Sequence, residues 1–244
     1  TEISAQKKLE GFRKMNPTYR FPSFSTISGS GPNSAIIHYK ASDKTNRALK
    51  KGDLYLVDSG GQYSFGTTDV TRTVSLDNRS NYIKEIYTRV LKGHIAVSNF
   101  KIKKNSTGSK VDQNARKYLK KINLDYPHGT GHGVGCFLNV HEGPQSLSKN
   151  NKINLRDGMI VSNEPGYYKE GAFGIRIENL VYIKKNKFQE LTMAPIEKDL
   201  INKKILNSSE VKWINNYHAK VKKSLFKFMN FQEKIDLTKA CSPI

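Results

Sequence analysis

A chain of 244 residues is long enough to bury a substantial core, which excludes disulfide-stapled miniproteins and short peptide modules. Hydrophobic residues make up 36% of it, more than a disordered chain carries, and no apolar run reaches the roughly 20 residues that cross a bilayer, so no membrane partner is expected. Lysine and arginine number 41 against 21 acidic residues, a formal charge of +20, yet the lysines run from Lys7 to Lys239 with few arginines; this is the pattern of a compositional bias rather than of a concentrated footprint, and no specific nucleic acid is expected.

Ala5, Leu9 and Phe12 fall at helical spacing behind Ser4, which predicts a helix over 4–14 ended by Asn16-Pro17. The stretch from Phe21 to Lys40 is rich in Ser, Gly and Pro and then gives Ala35-Ile36-Ile37-His38-Tyr39, read as a short buried strand carrying a histidine. Leu54-Tyr55-Leu56-Val57 is a stronger strand, and Asp69 to Val74 returns after the Gly60-Gly61 turn region. Ile83, Ile86, Tyr87, Val90 and Leu91 mark an amphipathic helix over 81–99, and Val111, Ala115, Tyr118, Leu119 and Ile122 mark a second. Strands are expected over 132–141, 158–164 and 174–183. Ile214, Tyr217, Val221, Leu225 and Phe228 line one face of a closing helix. Elements in alternating blocks indicate an α+β chain. With no Pro- or Ser-rich linker, residues 1–244 read as one catalytic-size domain with 208–244 as a helical extension.

The chain echoes itself. Gly52 to Asp58 and Gly158 to Glu164 are each a glycine, a mostly apolar strand and a carboxylate six residues on; each is followed by a turn and a returning strand with a second carboxylate. Helix 111–122 matches helix 4–14, while helix 81–99 has no counterpart upstream. A turn centred between Tyr63 and Ser64 sets Asp58 opposite Asp69, and one centred on Gly171 sets Glu164 opposite Glu178. Four carboxylates gathered in apolar sheet repel one another and lose hydration, so protons or cations must neutralise them. Two divalent ions balance the charge, and an oxygen-rich ligand set favours manganese over a thiolate-type zinc site. Asp beside a turn and Glu on a solvated strand are the blander readings of any one of these acids taken alone.

The segment Pro127 to Gly135, Pro-His-Gly-Thr-Gly-His-Gly-Val-Gly, supplies imidazoles at His128 and His132, with His141 close behind and His38 on another segment. Its glycines resemble a phosphate loop, but no Gly-Lys-Ser/Thr ending follows. They fit a backbone that passes close to a site while placing side chains into it.

Asp58, Asp69, His132, Glu164 and Glu178 fall in the order of the five metal ligands of the dinuclear metallopeptidases with the pita-bread fold, a family that includes methionine aminopeptidase, prolidase and aminopeptidase P. The strings GPNSAIIHY, VDSGGQYSFGTTDVTRT, HGTGHGVGCFLNVHEGP and NEPGYYKEGAFGIRIEN resemble the aminopeptidase P branch, particularly its cytosolic type. The resemblance implies a pseudo-twofold antiparallel sheet with helices on its outer face, here without the long first helix of the family's catalytic domains. It implies that Asp58 binds one metal, that His132 and Glu164 bind the other, and that Asp69 and Glu178 bridge them. A solvent nucleophile activated between the ions follows, with Glu164 as proton acceptor and His38 stabilising the oxyanion. By the same resemblance His141 and His128 orient the scissile peptide and, with Val140, line a proline pocket, and Arg176 pairs with a carboxylate such as Asp58. The implied substrate is a peptide with proline second, and the product is the free N-terminal residue. Prolidase is the alternative enzyme, and a catalytically silent binding module on the same fold is the alternative class. With two cysteines and no secretory start pattern, the expected compartment is cytoplasmic. The closing helix leaves homodimerisation open.

Overall fold

The structure is a computed structural model, described here for residues 1–77, 79–137 and 139–244. In chain order it contains α1 (Glu2–Lys14), β1 (Tyr19–Pro22), β2 (Ile27–Ser30), β3 (Leu54–Ser59), β4 (Gly61–Tyr63), β5 (Gly66–Thr67), β6 (Val70–Ser75), α2 (Asn81–Ser98) and α3 (Gly108–Lys120). There follow β7 (Gly131–His132), β8 (Ser146–Leu147), β9 (Ile160–Asn163), β10 (Gly166–Lys169), β11 (Phe173–Arg176), β12 (Asn179–Lys184), β13 (Lys187–Glu190), α4 (Ser208–Leu225) and α5 (Phe231–Ala240).

The internal echo is visible in space. One three-stranded antiparallel sheet runs β2-β3-β6 and a second runs β13-β12-β9. Gly52 and Gly158, the glycines that open the two repeats, adopt left-handed φ of 93° and 90°, which only glycine takes without strain. The halves are stitched along β6 and β11. Thr73 Oγ1 accepts from Arg176 N–H at 3.0 Å and donates to Arg176 O at 3.1 Å, and Glu178 N–H donates to Thr71 O at 3.1 Å. Helix α2 packs beneath this seam with Ile86, Tyr87, Val90 and Leu91 fully buried, the face that its 3.6-residue periodicity calls for. Ile214, Tyr217 and Val221 of α4, and Leu237 of α5, join the same core cluster as Leu54 and Ile175.

The structure corrects several expected elements. Residues 35–39 are not a strand: a 3-10 turn over Gly31–Ala35 leads into an irregular stretch with Ile36 exposed, because Pro32 and the left-handed Gly31 turn the chain. The 132–141 strand shrinks to β7, paired with β8; its remainder is loop, apart from an isolated bridge at Gly133, and Leu138 lies outside the described residues. The 174–183 strand is two strands, since β11 pairs with β10 whereas β12 turns to β9 and β13. Asp58 faces Thr71, not Asp69: β4 and β5 form their own hairpin inside the connection and move its centre by one residue. Asp69, two residues before Thr71, still shares its face of the sheet. In the second half Asn163 faces Asn179, a register that one further residue extends to Glu164 and Glu178. Strands β1 and β2 and helix α5 escaped the periodicity reading.

Candidate metal centre

Each repeat ends its central strand in a carboxylate aimed at the other repeat. Asp58 is the penultimate residue of β3, Asp69 precedes β6, Glu164 follows β9, and Glu178 sits in the break between β11 and β12. His132 arrives on β7, which must run hard against β9: a Cβ on Gly131 would lie 1.9 Å from Ser162 O, and one on Gly133 would lie 2.0 Å from Glu142 O. Only glycine permits that approach, so the glycines around His132 are there for packing.

The side chains converge. Oxygens of Asp58, Asp69 and Glu178 lie within 4.8 Å of one another, as do ligand atoms of His132, Glu164 and Glu178 and those of Asp69, His132 and His141. His132 Nδ1 donates to Gly133 O at 2.9 Å, which turns Nε2 to the centre, where Asp69 Oδ2 stands at 3.3 Å and Glu164 Oε1 at 3.4 Å. Asp58, Asp69 and Glu178 are 8%, 4% and 1% exposed, and Oδ1 of each aspartate is buried without a hydrogen-bond partner among the described residues. Burial, and then the charges of Asp58 and Glu164, push Asp69 well above the usual carboxylate range; burial and the charges of Asp69, Glu164 and Asp58 do the same to Glu178. Glu164 is raised by burial and held back by His132. Orphaned carboxylate oxygens gathered beside an imidazole nitrogen are what a divalent cation satisfies, so these residues fit the two-ion site.

The surroundings hold the acids in place. Arg176 Nη2 donates to Asp58 Oδ2 at 2.7 Å and its Nε donates to Thr71 Oγ1 at 3.0 Å. Thr71 Oγ1 donates in turn to Glu178 Oε2 at 2.7 Å, so one hydroxyl links the arginine of one ligand to the carboxylate of another. Ser162 Oγ donates to Glu164 Oε1 at 2.9 Å and accepts from His132 N–H at 2.8 Å.

A cleft of about 660 Å³ opens over the acids, and His38, His128, Val140 and His141 all line it together with the five candidate ligands and Arg176. His38 and His141 are exposed at its wall, and the His141 ring lies 3.9 Å from that of His132, centroid to centroid. Burial and the neighbouring His132 lower the pKa of His141. His128 differs from the other two. Its Nδ1 donates to Gly129 O at 2.7 Å, its Nε2 meets Tyr168 OH at 2.8 Å, and burial lowers its pKa to about 4, so it is a neutral ring with both nitrogens spent. It reaches the acids only through Tyr168, which accepts from Arg176 Nη1 at 2.6 Å. Sequence reasoning missed Thr71, Ser162 and Tyr168. The first two sit two residues from Asp69 and Glu164, the strand spacing that places side chains on one face, and could have been found by it.

The chain matches the model of the metallopeptidase family M24 over residues 1–185 and that of the C-terminal region of the same peptidases over residues 185–244. It is 47% identical to aminopeptidase P2 of Arabidopsis thaliana over 91% of this chain and 33% of that protein, and 46% identical to Xaa-Pro aminopeptidase 1 of Dictyostelium discoideum over 91% and 37%. The chain thus spans little more than a third of the curated relatives it matches. Among solved structures it superposes on X-prolyl aminopeptidase from Caenorhabditis elegans, described as a cytosolic enzyme with a di-nuclear active site, with a TM-score of 0.93 and 37% identity over 100% of this chain and 42% of that one. The prolidase from Pyrococcus furiosus follows at a TM-score of 0.72 and 34% identity over 78% and 55%. With its acids and imidazole gathered on a pseudo-symmetric α+β frame, the chain belongs to the metallopeptidase family M24.

Proposed function

We propose that this cleft releases the N-terminal residue from peptides with proline in the second position. The convergence of Asp58, Asp69, His132, Glu164 and Glu178, with partnerless oxygens among them, is the observation that carries this reading. Asp58 would hold one ion and His132 and Glu164 the other, with Asp69 and Glu178 shared by both, and the oxygen-rich set favours Mn²⁺. When bound, the two ions supply an acidified water and a Lewis-acid contact for the scissile carbonyl.

The chain's own groups do the rest. Glu164, its carboxyl raised by burial and its Oε1 fixed by Ser162, receives a proton during attack and returns it to the departing proline nitrogen. His38 donates to the developing oxyanion. His141 orients the scissile peptide, while Val140 and the neutral ring of His128 form the wall for the proline. Arg176 keeps Asp58 aimed by its hydrogen bond to Oδ2.

Residues 1–244 act as one catalytic domain, with 208–244 a helical extension on its core. No helix among the described residues is long and apolar enough to cross a membrane, and the working compartment proposed is the cytoplasm, as for the Caenorhabditis elegans enzyme. The apolar face of α4 is spent on this chain's own core, so a homodimer, if one forms, uses another surface.

Hydrolysis of an Arg-Pro-Pro peptide tests the reading. Release of arginine is expected with Mn²⁺, loss with a chelator and recovery on adding the ion back; a metal-loaded protein that leaves the peptide intact refutes it. The likeness to the Pyrococcus furiosus prolidase favours one second reading, which better cleavage of Xaa-Pro dipeptides than of longer peptides would select.

A further inference from the structure

Glu2, on the first turn of α1, is fully buried, and no ion pair to it occurs among the described residues. A buried carboxylate persists only where donors replace its hydration. Four converge on it. Oε1 accepts from Ser30 N–H at 2.7 Å and Asn33 Nδ2–H at 3.1 Å, and Oε2 accepts from Tyr39 O–H at 2.9 Å and Arg47 N–H at 2.9 Å. The Glu2 backbone adds an N–H donation to Arg47 O at 3.0 Å and accepts from Ser28 Oγ at 2.8 Å.

All four donors to the Glu2 carboxylate lie within residues 30–47, the segment that carries His38 to the cleft. Past Ala35 that segment has no helix or strand of its own; two turns, Ile36 N–H to Asn33 O and Tyr39 N–H to Ile36 O, are its only regular backbone bonds before Tyr39. Tyr39 is anchored twice, its ring against Ile27 and Leu56 and its hydroxyl on Glu2. His38 precedes this anchor and is left exposed to the cleft. Apolar packing would hold the base of the loop without any carboxylate, and what the carboxylate adds is a defined backbone path on either side of His38.

We propose that Glu2 is a positioning residue for His38, setting through Asn33, Tyr39 and Arg47 the loop that aims the imidazole at the substrate carbonyl. The inference rests on the oxyanion role given to His38 above. Glu2→Gln is the sharp probe, because every partner of Oε1 and Oε2 is a donor and the amide must turn its own N–H toward one pair of them. In Glu2→Gln, kcat falls about tenfold or more with little change in KM, as misplacement of a catalytic group demands, while calorimetry still finds two Mn²⁺ per chain with unchanged affinity. Hydrogen exchange quickens over residues 31–47 and is unaltered over 54–75. His38→Ala alone lowers kcat by about 100-fold, the scale of one lost oxyanion donor, and in that background Glu2→Gln costs nothing further. Tyr39→Phe, which deletes one donor and keeps the ring packing, shows the same non-additivity in smaller measure and serves if Glu2→Gln does not fold. Equal losses from Glu2→Gln with and without His38, or an undiminished kcat in Glu2→Gln, overturn the positioning role alone; an undiminished kcat in His38→Ala overturns the role of His38 and this proposal with it.

Discussion

His132 Nε2 stands 3.3–3.4 Å from two carboxylate oxygens amid buried acids that repel one another, and at residue scale this makes the candidate site a proton store as well as a cation trap. Burial and mutual repulsion raise Asp69, Glu178 and Glu164, so some of these carboxyls keep protons at pH values where free carboxylates have lost them. Cations must displace those protons. Titration with Mn²⁺ is therefore expected to release protons, seen as a dependence of the apparent enthalpy on the ionisation enthalpy of the buffer, and affinity should weaken as pH falls. Thr71 offers a second test. Replacing it with valine keeps the shape but leaves Glu178 Oε2 and Arg176 Nε without their shared hydroxyl; Mn²⁺ affinity should fall by about 10–100-fold, as for other groups that orient ligands, while Thr71→Ser retains it. The four candidate acids were legible as residues because acids at matched places in two apolar repeats are hard to explain otherwise, and His132 because histidines cluster beside it. The hydroxyls that steer them were not, since Thr and Ser on strands are ordinary until the opposing strand is known.

At the scale of elements, hydrophobic period located α1 to α4 and the central strands, but it carried no information on where a connection folds into a hairpin of its own. The β4–β5 insertion therefore moved the Asp58 register, and a histidine-bearing apolar run became a loop whose shape comes from Gly31, Pro32 and Glu2. The glycines of the 127–135 segment were read as backbone passing close to a site; at Gly131 and Gly133 the close approach is to neighbouring backbone, Ser162 O and Glu142 O. Gly131→Ala should accordingly be overpacked against Ser162, costing about 1–3 kcal/mol and lowering Tm by roughly 3–10 °C in a chain of this size. Gly11, inside α1, has open space around it, and Gly11→Ala should raise Tm by about 2–4 °C through helix propensity. Thermal melts of the pair decide whether space or sequence context governs these positions.

For the whole molecule, stability must pass through an optimum in pH. Burial holds His94 neutral with its pKa lowered to about 3, and burial and Lys198 lower His218 to about 4. The unfolded chain takes up these protons near the ordinary histidine value of about 6.5, so each buried imidazole costs stability as pH falls from there toward its folded pKa. The raised carboxyls act in the opposite sense: the folded, metal-free chain binds their protons more tightly than the unfolded chain does, and it loses stability as pH rises above about 4. The Tm gain on adding Mn²⁺ should therefore be larger at pH 8 than at pH 5.5, which scanning calorimetry with and without the ion can establish. Asp58 and Asp69 come from one repeat and His132, Glu164 and Glu178 from the other, and the seam through Thr71 and Thr73 joins residues more than 100 positions apart. Neither repeat owns the complete set of candidate ligands. On the proposed two-ion reading, a refolding chain gains its ions only after both repeats have docked, and ion capture becomes a clock for the last event of assembly rather than for either repeat's own collapse.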